Sequence, residues 1–71
     1  MSYNNYLQQL SRFLEPEQMH RLKQSTFMLS SRSQEKIFIW LLFEQKFLIQ
    51  PHIDDKMDRF LYKIVKNEIF Q

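Results

Sequence analysis

Glycine, cysteine and alanine are all absent from this 71-residue chain. Without glycine there is no phosphate-cradling loop, no dinucleotide fingerprint and no nucleophile elbow, because each needs positive φ or close backbone approach. Tight two-residue hairpins are disfavoured for the same reason, which argues against a β-meander. Without cysteine, neither a disulfide nor a thiolate-held metal can staple the fold. Stability must then come from apolar packing, some of it shared with a second chain if the module self-associates.

Two further features are scarce. The apolar stretch from Ile37 to Ile49 is interrupted by Glu44, Gln45 and Lys46 and is shorter than the roughly 20 residues that span a bilayer. The opening Met-Ser-Tyr-Asn-Asn lacks the basic and apolar regions of a secretory signal. These features together favour the cytoplasm and give no membrane role. The charge excess is small as well: a formal +2 and a pI of about 9.1 fall below the basic excess of a dedicated nucleic-acid binder.

What the chain does contain is a globular composition, 44% apolar, 25% charged and 15% aromatic. Such a chain folds rather than remaining disordered, and its length suits one domain over residues 1–71. Tyr3, Tyr6, Leu7, Leu10, Phe13 and Leu14 recur at helical spacing and predict a first helix over residues 2–14, stopped by Glu15-Pro16. Pro16 suits the first turn of a second helix, 16–28, with Met19, Leu22, Thr26 and Leu29 on its inner face and His20, Arg21, Lys23 and Gln24 outward. The serine-rich stretch 30–33 reads as a turn, and Ser31 with Gln34 makes a capping-box pattern ahead of a third helix, 32–48. After Gln50-Pro51-His52, Asp54 or Asp55 caps a fourth helix, 54–69, whose apolar face is Met57, Phe60, Leu61, Ile64, Val65 and Ile69.

The third helix organises the rest. It holds the one Trp, and Ile37 to Phe43 is an unbroken apolar run that covers every direction around the axis. The expected fold is all-α: a small bundle of about four short helices packed around this central apolar element. Three short neighbours leave a strip of such a helix open, and an aromatic strip in water marks an interface. Phe38, Trp40, Phe43 and Phe47, with Tyr3, Tyr6 and Phe70 at the rim, are therefore the candidate protein interface.

Lys56, Arg59, Lys63 and Lys66 form a basic ridge on the fourth helix and are the candidate contacts for an anionic partner. Leu29-Ser30-x-Arg32-x-x-Glu35-x-Ile37 resembles the opening of the LuxR-type DNA-binding domain over about nine residues. That resemblance implies a helix-turn-helix, but Phe43 stands where the family ends its first helix with Gly, and Pro51 interrupts the next. The start of the fourth helix, which would enter the major groove, carries Asp54, Asp55 and Asp58 and repels phosphate.

The catalytic inventory is thin. His20 follows Glu17 by three residues and His52 neighbours Asp54 and Asp55, yet no third ligand has metal spacing. Ser30, Ser31 and Ser33 are turn and cap residues rather than nucleophiles. The expectation is a non-enzymatic regulator or adaptor, without cofactor, metal or small-molecule substrate, that binds another protein or itself. Nucleic-acid binding through the basic ridge is the alternative.

Overall fold

A computed structural model describes residues 2–71, with side chains from residue 5 onward. Four helices follow in order: α1 (Ser2–Leu10), α2 (Pro16–Thr26), α3 (Ser31–Phe47) and α4 (Lys56–Ile69), with no strand among the described residues. The radius of gyration, 11.0 Å, equals the roughly 11 Å expected of a fully packed chain of this length, so no helix stands away from the body. Among the described residues, no helix is long and apolar enough to cross a membrane.

The first helix is shorter than its apolar spacing predicts. The Ser11 hydroxyl donates to the Gln8 carbonyl at 2.6 Å, and Arg12 and Phe13 close i to i−3 bonds instead of continuing the α pattern. This tight turn still carries Leu14 into the core while Phe13 faces solvent. Pro16 opens α2 as expected, and the Gln18 side chain reaches back to accept from the Glu15 amide at 2.8 Å. That helix ends at Thr26 rather than residue 28. The Thr26 hydroxyl donates to the Leu22 carbonyl at 2.7 Å, and the Thr26 carbonyl accepts from Gln34 Nε2 at 2.8 Å.

The cap of α3 differs by one residue from the sequence expectation. Ser30, not Ser31, is the N-cap, and its hydroxyl oxygen accepts from the Ser33 amide at 3.1 Å. In a run of serines each hydroxyl is a competent cap, so the choice falls to backbone geometry; Ser30 has the extended φ and ψ that a cap requires. At the other end Leu48 takes a left-handed conformation, φ 58°, and its amide closes on the Glu44 carbonyl. In a chain without glycine, a leucine occupies the position glycine usually fills.

As expected, α3 is the central element. It supplies Ile37, Phe38, Leu41 and Leu42 to a core completed by Leu10, Leu14, Leu22, Ile53, Tyr62, Val65 and Ile69. Backbones approach most closely between α1 and α3 and between α2 and α4. Between α3 and α4 the junction is made by long side chains: Lys36 pairs with Asp58 at 3.2 Å, Trp40 meets Tyr62 edge-on, and Lys66 pairs with Glu44 at 2.7 Å. Each partner lies 22 positions along the chain from the other, so the two helices run in the same direction. The connector 48–55 therefore returns along the bundle, and buried Ile53 anchors it.

This junction corrects the face assigned to α4. Met57, Phe60 and Ile64, expected in the core, are exposed; Tyr62, Val65 and Ile69 point inward, with Leu61 half-buried. The helix is turned by roughly a quarter revolution from the apolar reading. In this orientation Asp58, Tyr62 and Lys66 occupy a single face that meets Lys36, Trp40 and Glu44 of α3, while Val65 and Ile69 beside them enter the core.

Candidate functional site

The open side of α3 carries Ile39, Phe43 and Phe47, spaced by four residues and therefore stacked on one face. Their exposures are 38%, 38% and 55%. The rings of Phe43 and Phe47 lie 5.3 Å apart, and Lys46 Nζ sits 5.8 Å from the Phe47 ring centre. On one side the strip descends into a groove with Tyr6 and Leu42, and on the other into a groove with Trp40, Ile49 and Pro51. A nine-residue α1 and an extended connector are too narrow to close over it.

Of the residues expected at an interface, Phe43 and Phe47 lie on the strip, and half-buried Tyr6 and Trp40 line its grooves. Phe38 is a correction: it is buried in the core, turned about 100° around α3 from Ile39 and about 140° from Phe43. Phe70 is exposed at the end of α4, where its amide bonds the Lys66 carbonyl. Tyr3 lies outside the described side chains. Ile39, Leu48 and Ile49 are exposed apolar residues that sequence reasoning did not single out. The four-residue spacing of Ile39 with Phe43 and Phe47 was the available signal.

The basic ridge is divided. Arg59, Lys63 and Lys66 line a cleft between α4 and the connector, together with Glu44, Gln50, Pro51, Ile53, Tyr62 and Asn67, whereas Lys56 lies outside it. Arg59 Nη1 donates to the Ile53 carbonyl at 3.1 Å. Glu44 accepts the Tyr62 hydroxyl at 3.2 Å while pairing with Lys66, and Lys66 Nζ lies 5.3 Å from the Tyr62 ring centre. Burial, the Glu44 charge and the hydrogen bond to it all push the Tyr62 phenol well above its ordinary pKa, burial contributing most.

His20 is exposed, and His52 Nε2 meets Asp54 Oδ1 at 2.7 Å with both side chains in solvent. Among the described residues, no three histidine or carboxylate groups converge closely enough to hold a metal ion. Comparison with protein-family models, with curated proteins and with solved structures finds no match to this chain.

Proposed function

We propose that this protein is a non-enzymatic interaction module that pairs with a second copy of itself through the open face of α3. The observation that carries the proposal is the Ile39–Phe43–Phe47 strip, a contiguous apolar surface with oppositely charged residues along one flank. Glu35 and Lys46 sit on that flank, toward opposite ends of the strip. In an antiparallel pair related by a twofold axis, the same flank of each helix meets its counterpart. Setting Ile39 of one copy opposite Phe43 of the other brings Glu35 within one residue of Lys46 of the second copy, twice over. Apolar burial would supply affinity and the two ion pairs would fix register and direction. The divided basic ridge gives the nucleic-acid alternative no comparable continuous surface.

Sedimentation equilibrium tests the proposal. The wild-type chain is expected to be dimeric at tens of micromolar, on the order of the affinity of a small interface, and Phe43→Glu monomeric with unchanged helix content. Glu35→Lys is expected to weaken association and the double change Glu35→Lys with Lys46→Glu to restore it. A wild-type chain that stays monomeric at about 1 mM overturns the reading, as does a Phe43→Glu variant that dimerises as strongly.

A further inference from the structure

The cleft between the connector and α4 shares Gln50 and Pro51 with the groove beside the α3 strip but has a chemistry of its own. Its volume is about 290 Å³, and its wall carries three cations, Arg59, Lys63 and Lys66, against one carboxylate, Glu44. That carboxylate is already committed: it holds Lys66 at 2.7 Å and accepts the Tyr62 hydroxyl. Two positive charges in the wall therefore have no counter-charge among the lining residues. Arg59 is fixed in place by its bond to the Ile53 carbonyl, which uses one of the five N–H donors of a guanidinium and leaves the others for a ligand. Gln50 and Asn67 add side-chain amide donors to the same wall.

We infer that this cleft binds a small phosphate ester, with the phosphate held by Arg59 and Lys63 and the carbon portion against Pro51. Phosphate monoesters carry a charge of roughly −1.5 to −2 at neutral pH, which matches the uncompensated charge of the wall. Several oxygens on one centre satisfy several converging donors at once, and charge-assisted bonds to a guanidinium are the strongest of these. The volume stands near the lower end for small-molecule sites, about 300 Å³, and favours a compact ligand over a polymer. A single concave site also differs from the continuous basic track that a nucleic-acid backbone needs.

The test is titration of the full chain with glycerol phosphate and with inorganic pyrophosphate at constant ionic strength, by calorimetry and by Trp40 emission. Trp40 is a built-in reporter, since its ring meets Tyr62 of the cleft wall edge-on at 5.8 Å. Saturable binding is expected, weakened about tenfold or more by Lys63→Gln and by Arg59→Gln, the loss expected of a charge-assisted bond. Lys56→Gln, outside the cleft, is expected to leave the affinity within about twofold. Lys63 is exposed, so its substitution preserves the fold even if Arg59→Gln loosens the connector. No saturation by either probe up to about 10 mM overturns the inference. So does equal weakening by Lys56→Gln, which would mean a diffuse charge effect, or saturable binding of a single-stranded oligonucleotide where both small probes fail.

Discussion

Tyr62, a buried residue at the point where α3 and α4 meet, donates its hydroxyl to Glu44 at 3.2 Å. Burial first, and then the adjacent carboxylate, hold the proton on the phenol and raise its pKa above the unfolded value of about 10. The folded state therefore binds the proton more tightly than the unfolded state. The corresponding stability is fully present below about pH 10 and is lost as pH rises beyond it. Tyr62→Phe is expected to lower stability by about 1 kcal/mol at neutral pH, the usual value of one hydrogen bond. It is also expected to flatten the alkaline fall in stability relative to wild type. Urea titrations from pH 7 to about pH 11 measure both effects, and parallel pH profiles for the two proteins would refute the assignment. The sequence shows a tyrosine on a polar side of α4; its partner, 18 positions away, appears when the helices are packed.

At the scale of helices, caps and facing charges decide what apolar spacing leaves open. The order and number of the four helices were legible, and so were their ends to within about two residues except the end of α1, because Pro16, the serine run and Asp55 are local signals acting within one turn. Asp55 caps α4, accepting from the Asp58 amide at 3.0 Å, as one of two expected alternatives. The cap of α3 was misplaced by one serine. Ser30→Ala is accordingly expected to cost about 1 kcal/mol, and Ser31→Ala, at an exposed first-turn position, only a few tenths. Equal losses in urea denaturation would contradict the cap seen here. The rotation of α4 was not legible, because an apolar count rewards Met57, Phe60 and Ile64 and gives no weight to Asp58, Tyr62 and Lys66. Those three residues find Lys36, Trp40 and Glu44 across the junction, and the same rotation buries Tyr62, Val65 and Ile69 with Leu61 half-buried, so the charges are paired while an apolar face is still hidden.

For the whole molecule the consequence is that several apolar side chains remain exposed. Besides the strip on α3, the rotated α4 shows Met57, Phe60 and Ile64, and the turn after α2 shows Phe27 and Met28. A domain of this size holds only a few kcal/mol of net stability, so covering one such surface by a second copy changes the balance appreciably. The proposed association through α3 would couple folding to pairing. The melting temperature of the wild-type chain is therefore expected to rise with protein concentration, and that of Phe43→Glu to stay constant. Calorimetric scans at two concentrations a hundredfold apart, about 2.7 kcal/mol of mass action, check this. Concentration-independent melting of the wild type would rule out coupling between the two.

The amino-acid sequence by itself determined an all-helical chain, the four segments and the central place of α3, because these follow from turn residues and apolar periodicity within each segment. It also determined that α3 is wider in its apolar face than three short helices can cover. Which strip stays open, that Phe38 lies inside and Ile39 outside, and that Arg59, Lys63 and Lys66 gather around one cleft were decided by tertiary structure. Phe38 and Ile39 are sorted by how α3 is turned against its neighbours, and the cations by how α4 meets the connector. Both involve partners distant in sequence, such as Lys36 with Asp58 and Glu44 with Lys66, whose pairing has no local signature.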